Sequence, residues 1–142
     1  MKISEVMTRD VKTVRPDQSA QEAASFMLSC DAGAIPVTDG ERPIGMITDR
    51  DIAVRGIAKG YGPETLVREL MTDDLVIVRI DDDVEDAASK MSDAQVRRLP
   101  VIDRDDRLCG IVSLGDLSRE TDNECAGEAL EGISEPGGDH RQ

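Results

Sequence analysis

Aromatic residues are almost missing from this sequence, which has one Phe, one Tyr and no Trp. Proteins that bind single-stranded nucleic acid stack the bases on aromatic side chains, and this sequence offers no such platform. Basic residues are scarce as well, because 17 Lys and Arg stand against 30 Asp and Glu and leave a net charge of −13. A protein that binds the phosphate backbone needs a basic face. Both deficits argue against a nucleic-acid-binding protein.

Long apolar segments are missing too. No run of apolar residues approaches the ~20 that a membrane-spanning helix needs, and Met1–Glu5 show neither the apolar core nor the cleavage site of a signal peptide. Cys30, Cys109 and Cys125 form no close pair and leave an odd count, as expected in a reducing compartment without a disulfide framework. We therefore expect a cytoplasmic protein.

Histidine occurs once, at His140. It lies within Thr121–Gln142, a segment with six acids, four glycines and few apolar side chains that we predict to be a disordered acidic tail. A helical patch over Glu124–Leu130 stays open as an alternative. Because residues 1–120 have no histidine for acid–base catalysis or metal binding, the sequence favours a binding module over an enzyme. We expect no metal and no cofactor.

The acidic charge permits two interpretations. Aspartate supplies 19 of the 30 acids, and lysine supplies only 4 of the 17 bases. A carboxylate-rich, lysine-poor surface suits a salt-rich cytoplasm, where screening weakens self-repulsion. An ordinary acidic protein is the alternative, and the sequence leaves both open.

The chain contains an internal repeat. At an offset of 64, residues 2–39 and 66–103 share 14 identities in 38 positions. The offset then becomes 65, pairing the Gly45-x-x-Thr48-x-x-Asp51 run with Gly110-x-x-Ser113-x-x-Asp116. We divide the chain into repeat 1 (1–63), repeat 2 (64–120) and the tail (121–142).

Each repeat follows the pattern strand, helix, strand, strand, helix, which predicts an α+β fold. Asp17 and Asp81–Asp83 are candidate N-caps for the first helices, and Asp39-Gly40 is a hairpin turn signal. A unit of ~60 residues is small for an independent domain, so we expect the two repeats to pack with pseudo-twofold symmetry. The expected strands are Val11–Val14, Ala34–Thr38, Ile44–Thr48, Leu75–Val78, Leu99–Ile102 and Leu108–Ser113. The expected helical segments are the apolar sets Ala20/Ala23/Ala24/Met27 and Val84/Ala87/Ala88/Met91, then Asp49–Ala58 and Leu114–Arg119.

The repeated Gly-apolar-apolar-[Ser/Thr]-x-x-Asp motif is the main functional candidate. Its simplest interpretation is a capping box, which satisfies unpaired amides at a helix start. Alternatively, Thr48 and Ser113 bind a phosphate at the helix N-terminus. Asp51 and Asp116 then accept the hydroxyls of a ribose, as carboxylates do in dinucleotide sites.

Residues upstream of the motif suggest the rest of such a site. Ala34-Ile35-Pro36-Val37 and Arg98-Leu99-Pro100-Val101 form apolar strands whose backbone can meet a flat base. Arg97 and Arg98 interrupt the apolar entry to their strand. They are either solvated edge charges or guanidinium groups that bind a phosphate.

The two copies resemble CBS domains (cystathionine-β-synthase domains) arranged in tandem, over residues 2–120. The Thr48–Gly56 run is similar to that of small stand-alone CBS-pair proteins. The resemblance implies a flat α+β pair that dimerises into a disc, with up to two clefts between the repeats for adenosine-type ligands. The motifs that carry it are Ile35-Pro36-Val37-x-Asp39, Gly45-x-x-Thr48-x-x-Asp51, Leu99-Pro100-Val101-x-Asp103 and Gly110-x-x-Ser113-x-x-Asp116.

Carried over by position, the resemblance implies a role for each motif residue. Asp51 and Asp116 match the ribose-binding Asp, and Thr48 and Ser113 match hydroxyls on the phosphate side. Arg98 matches a phosphate-contacting position where the first copy has Ala34, so the two clefts are unequal. The expected ligand-binding residues are Thr13, Val14, Ala34, Ile35, Pro36, Val37, Thr48, Arg50, Asp51, Ile77, Val78, Arg98, Leu99, Pro100, Val101, Ser113 and Asp116.

The expected function is a regulatory sensor of adenosine ligands (AMP, ADP, ATP, NAD or S-adenosylmethionine) that acts as a homodimer on an unknown protein target. The alternative is a ligand-free protein–protein interaction module in which the motif only caps helices. An anionic protein repels a polyphosphate unless nearby positive charge compensates. Arg50, Arg97 and Arg98 neutralise one or two phosphate charges more readily than three. That favours AMP, ADP or a neutral-tailed adenosine over ATP without Mg²⁺.

Overall fold

The computed structural model describes residues 1–120, so the predicted tail and its helical patch lie outside the described residues. Within that range the α-helices are α1 (Ile3–Val6), α2 (Ala20–Cys30), α3 (Val67–Leu70), α4 (Val84–Ala94) and α5 (Leu114–Glu120). A π-helix spans Asp51–Gly56 and a 3₁₀ turn spans Ile57–Lys59. The strands are β1 (Ala34–Asp39), β2 (Arg42–Thr48), β3 (Val78–Arg79), β4 (Arg98–Ile102) and β5 (Leu108–Ser113). The mixed α+β class and the two repeats are as predicted.

The chain forms two compact units that do not follow the linear order of the repeats. One, here the terminal unit, joins Met1–Val11 to the residues from Val76 on; the other, here the central unit, is Lys12–Leu75. Each unit therefore takes its short first helix from the other repeat. In the terminal unit the Ile3 amide donates to the Asp82 carbonyl at 2.9 Å, which fixes α1 beside the start of α4. In the central unit the Val67 amide donates to the Gln18 carbonyl at 2.8 Å, which fixes α3 beside the start of α2.

The central unit is built on the antiparallel β1–β2 hairpin. Ala34 pairs with Thr48 and Asp39 with Arg42, with one register shift after Val37. Gly40 has φ +64° in the turn, the left-handed conformation that glycine adopts without strain. The helices α2 and α3 cover the hairpin, and the buried apolar core consists of Val14, Ala20, Ala23, Met27, Ile35, Val37, Ile47, Val67 and Leu70.

The terminal unit repeats this arrangement with a third strand. The hairpin β4–β5 pairs Arg98 with Ser113, and β3 adds a parallel partner that places Val78 beside Val101. The N-cap of α4 is Asp83, which lies within the predicted N-cap segment Asp81–Asp83. The helices α1, α4 and α5 supply the remaining walls of a core of Ile3, Val6, Met7, Val78, Val84, Ala87, Ala88, Met91, Val96, Leu99, Val101, Val112 and Leu117.

The predicted first strands form only in part. Val14 makes a single bridge to Val37, and β3 has two residues. A longer parallel ladder would need the backbone amide of Pro36 or Pro100 as its next donor, and proline has none. The segments before Val14 and Val78 therefore run without strand pairing.

Three further expectations need correction. The N-cap of α2 is Ser19, whose hydroxyl accepts the Glu22 amide at 3.1 Å, and not Asp17, which is exposed and bonds to Arg15. Ala24 is exposed because it lies at an apolar surface groove shared with Ile52 and Tyr61. The segment predicted as an α-helix over Asp49–Ala58 is mostly π-helix followed by a 3₁₀ turn. None of the helices among residues 1–120 has both the length and the apolar character needed to cross a membrane.

Candidate functional site

The two Ser/Thr-x-x-Asp motifs have the same geometry in both units. The Asp51 amide donates to Oγ1 of Thr48 at 3.0 Å, and the Thr48 amide donates to Oδ2 of Asp51 at 2.9 Å. The corresponding bonds between Asp116 and Ser113 measure 3.1 and 2.9 Å. Both motifs are reciprocal capping boxes at helix starts. Capping therefore occupies the hydroxyl and one carboxylate oxygen of each motif.

Burial distinguishes these two aspartates from the other acids that cap helices. Asp51 is 8% exposed and Asp116 is 5% exposed. Glu5, Glu69 and Asp86 also accept the amide of an N-cap residue, yet all three are exposed. A cap needs only an acceptor, whereas removing a carboxylate from water costs free energy. Capping alone therefore does not account for the burial of Asp51 and Asp116.

Each buried carboxylate has a second oxygen outside its cap. Oδ1 of Asp116 accepts a 2.6 Å hydrogen bond from Nη2 of Arg119. Oδ1 of Asp51 lies 3.8 Å from Nε of Arg55, which is beyond hydrogen-bond distance. Arg55 instead donates from Nη1 to the carbonyl of Met71 at 3.3 Å. The second oxygen is thus tightly bonded in the terminal unit and loosely paired in the central unit.

The environment of Asp51 disfavours its charged form. Burial raises the pKa of Asp51 above the ordinary value of 3.8, and the hydrogen bonds from Thr48 and the charges of Arg55 and Arg50 offset only part of this. A buried carboxylate whose negative charge is incompletely compensated gains from a further hydrogen-bond donor. Hydroxyl groups of a bound ligand are donors of this kind.

The glycine of each motif admits the chain backbone. A methyl group on Gly45 would lie 2.7 Å from the Thr72 carbonyl oxygen, and one on Gly110 would lie 2.8 Å from that of Thr8. At these points the segments after α3 and α1 bridge to β2 and β5. The sequence predicted that a backbone or a ligand comes close to these glycines, and in the structure it is the backbone of Thr72 and Thr8 that does so.

The apolar residues predicted to line the base are mostly core residues. A ligand would meet these strands through their backbone, because the side chains point into the two cores. Thr13 and Ile77 are half-buried, and Pro36 and Pro100 are buried. Ala34 is 9% exposed. The other predicted lining residues are at most 1% exposed: Val14, Ile35, Val37, Val78, Leu99 and Val101.

A cavity of ≈ 380 Å³ lies in the terminal unit where β4 and α5 begin. It brings together Arg98 and Ser113, two of the predicted phosphate ligands, and adds Arg97, which is exposed. Asp116 caps the same helix but is not part of the lining. The full lining is Arg97, Arg98, Ser113, Leu114, Gly115 and Ser118.

A cavity of ≈ 340 Å³ lies in the central unit against the carboxyl end of α2. Its charged residues are Asp31 and Asp49, which the sequence reasoning missed. Asp31 ends α2 with φ 50°, a helix-terminating conformation whose sequence signal marks a cap and not a cavity. Thr48 and Arg50, which were predicted to bind ligand, lie outside the lining of Met27, Leu28, Asp31, Ala32, Gly33 and Asp49.

Within residues 1–120, His, Cys, Asp and Glu side chains form no group of three or more that could hold a metal ion.

Cys109 is half-buried and donates from Sγ to the Val101 carbonyl at 3.4 Å. Burial raises the pKa of this thiol, which keeps it protonated at neutral pH.

Solved structures similar to this chain include adenosine-ligand complexes. CBSX2 of Arabidopsis thaliana in complex with AMP is 29% identical, with a TM-score of 0.72 over 83% of this chain and 93% of that one. The CBS domain pair of protein MJ0100, in complex with 5′-methylthioadenosine and S-adenosyl-L-methionine, is 28% identical. Its TM-score is 0.75 over 84% of this chain and 94% of that one.

Sequence comparison gives the family. The CBS domain-containing protein YhcV of Bacillus subtilis is 46% identical over 133 residues, which cover 93% of this chain and 94% of that protein. The family model described as the CBS domain matches residues 3–55 and again residues 67–122. The chain belongs to the CBS domain family and carries two CBS domains in tandem.

Proposed function

We propose that this protein is a regulatory sensor that binds adenosine ligands, acts as a homodimer and catalyses no reaction of its own. Ligand binding would shift the dimer between two states, or change its affinity for a protein target, by as much as the ligand's affinities for the two states differ. The AMP and S-adenosylmethionine complexes of CBSX2 and MJ0100 support this ligand class.

The observation that carries the proposal is the burial of Asp51 and Asp116. Both are at most 8% exposed, whereas the capping acids Glu5, Glu69 and Asp86 of the same chain are exposed. A buried carboxylate with one oxygen outside the cap suits a ribose, whose two hydroxyls donate to it. The hydroxyls of Thr48 and Ser113 are near the same helix starts, where a phosphate is favoured.

Isothermal titration calorimetry with AMP, ADP, ATP, NAD and S-adenosylmethionine tests the proposal. We expect saturable heat from at least one ligand. Charge-assisted hydrogen bonds contribute roughly 1.5–3 kcal/mol, so Asp51→Ala and Asp116→Ala together should weaken binding at least about tenfold. Unchanged affinity in the double variant would show that these carboxylates do not bind the ribose.

A matched control separates binding from helix capping. Glu5→Ala with Asp86→Ala removes two capping acceptors of the same kind while leaving both buried aspartates in place. We expect this control to lose a similar amount of capping stability, about 1 kcal/mol per cap, and to bind ligand as the unaltered protein does. An equal loss of affinity in the control would attribute the effect to stability.

A ligand-free interaction module is the second candidate. The observation that favours it is that Asp116 already uses both oxygens, one in the cap and one with Arg119. For such a module no adenosine ligand would give heat up to several millimolar, and the alanine variants would change only stability.

A further inference from the structure

One backbone hydrogen bond recurs at the mouth of both cavities. The Asp49 amide donates to the Gly33 carbonyl at 2.9 Å in the central unit, and the Leu114 amide donates to the Arg97 carbonyl at 2.8 Å in the terminal unit. Each bond joins the residue just before the first hairpin strand to the residue just after the second. All four residues line their cavities. The backbone at the two mouths is therefore equivalent, although the side chains are not.

Side-chain charge is opposite at these equivalent positions. Arg97 in the terminal unit corresponds to Gly33, and Arg98 to Ala34, so the two guanidinium groups have no counterparts in the central unit. In the other direction, Asp49 corresponds to Leu114. The central cavity adds Asp31 from the end of α2, where repeat 2 has Gln95. One lining carries two positive charges and the other carries two negative charges.

Arg50 does not reverse this difference. Its side chain is exposed and outside the lining of the central cavity, and its backbone amide donates to Oδ1 of Asp49 at 2.8 Å. Oδ2 of Asp49 lies 3.1 Å from where a methyl group on Gly33 would sit, so the carboxylate reaches across the mouth. A phosphate entering there would meet the like charge of both carboxylates, which disfavours its binding.

On this basis we infer that the two units select ligands by opposite charge. The terminal unit takes the adenosine ligand that bears a phosphate, and the central unit rejects phosphate and takes an adenosyl ligand whose 5′ substituent is uncharged or positive. The inference rests on the proposed function, because it assumes that adenosine ligands bind. It assigns the selectivity to Arg97 and Arg98 on one side and to Asp31 and Asp49 on the other.

Stoichiometry by equilibrium dialysis tests the inference on the full chain. We expect one AMP per chain at saturation, and we expect S-adenosylmethionine or 5′-methylthioadenosine to bind one further site on the AMP-saturated protein. Two equivalent AMP sites per chain would overturn the inference while leaving the proposed function intact, as would the failure of both further probes to bind. Failure of every adenosine ligand to bind the free protein would overturn the proposed function and the inference with it.

Asparagine variants then test the residues. Asp31→Asn with Asp49→Asn should create a second AMP site by tightening its Kd at least about tenfold. Both residues are exposed; asparagine tolerates the left-handed conformation at 31, and its carbonyl can still accept the Arg50 amide. Arg97→Ala with Arg98→Ala should abolish AMP binding and leave S-adenosylmethionine binding unchanged.

The matched control changes the same net charge elsewhere on the central unit. Asp17 and Asp73 are exposed and lie outside the cavity lining, so Asp17→Asn with Asp73→Asn should leave one AMP per chain. A second AMP site in this control, or none in the Asp31→Asn/Asp49→Asn variant, would overturn the assignment to the cavity aspartates.

Discussion

Arg119 donates a 2.6 Å hydrogen bond to the Oδ1 atom of Asp116, the oxygen that the helix cap leaves available. The arginine side chain is 67% exposed, whereas that of the aspartate is 7% exposed. The buried carboxylate is therefore bonded to a guanidinium that is largely exposed to solvent. A ribose hydroxyl that binds this oxygen of Asp116 competes with the guanidinium for it.

We predict that Arg119→Ala increases the affinity for AMP. Ion pairs with solvent-exposed side chains contribute about 0.2–1 kcal/mol, so removing the competitor should tighten binding by up to about fivefold, as measured by calorimetry. Arg104→Ala, which removes an exposed ion pair with Asp81 on the same unit, is the control and should leave affinity unchanged. Weaker binding in Arg119→Ala would mean that this arginine contacts the ligand.

The raised pKa of Asp51 predicts a specific pH dependence of stability. Because the folded pKa lies above the unfolded value of 3.8, the native state binds this proton more tightly than the unfolded state does. The stabilisation of the native state by protonated Asp51 is complete below pH 3.8 and is lost as the pH rises through the folded pKa.

The measurement compares the unaltered protein with Asp51→Asn by urea denaturation from pH 3.5 upward. Asparagine keeps an acceptor for the Thr48 amide but has no proton to titrate. We expect the stability of the unaltered protein relative to the variant to fall with rising pH and then level off. A relative stability that rises with pH would mean that the hydrogen bonds from Thr48 outweigh burial. At neutral pH the variant should bind S-adenosylmethionine, the ligand assigned to the central unit, more weakly, since its amide nitrogen cannot accept a ribose hydroxyl.

The fold and the capping motifs were accessible from the sequence because they are local. The β-prone runs that flank a turn in each repeat predicted both hairpins, and Ser/Thr-x-x-Asp predicted both capping boxes. The short first strands follow from Pro36 and Pro100, which have no backbone amide to extend the parallel ladder. The burial of Asp51 and Asp116 was not predictable, since it depends on packing from distant segments, and Glu5 has the same local capping role while remaining exposed.

The packing between segments distant in the chain could not be predicted from the sequence. No local pattern indicates that α1 packs with α4 and that α3 packs with α2, because the exchange of first helices is a property of chain topology. Asp31 was missed for a related reason. Its position at a helix end predicts a cap, but its place beside Asp49 depends on how the carboxyl end of α2 meets the end of β2.

Gly45 and Gly110 should be required for stability. A methyl group at either position would lie within 2.8 Å of a backbone carbonyl oxygen, which cannot move without breaking a bridge. We predict that Gly45→Ala and Gly110→Ala each lower the free energy of unfolding by about 1–3 kcal/mol, measured by urea denaturation. Gly115→Ala is the control, because its new methyl group would meet the flexible end of the Arg119 side chain at 3.3 Å and the Ser113 hydroxyl at 3.6 Å, and no backbone atom from outside its own helix within that distance. Alanine is also the better helix former, so a loss of stability there as large as at Gly45 would contradict the argument.

Ser113 is expected to have two roles that Ser19 does not share. Both hydroxyls cap a helix, accepting the amide of Asp116 at 3.1 Å and that of Glu22 at 3.1 Å, and both alanine variants should lose about 1 kcal/mol of stability. Ser113 also lines the cavity that contains Arg97 and Arg98. We therefore predict that Ser113→Ala weakens AMP binding at least about tenfold, because a hydrogen bond to a charged phosphate contributes roughly 1.5–3 kcal/mol, while Ser19→Ala leaves it unchanged. Equal affinities in the two variants would mean that the Ser113 hydroxyl serves the helix alone, which would leave the phosphate to Arg97 and Arg98.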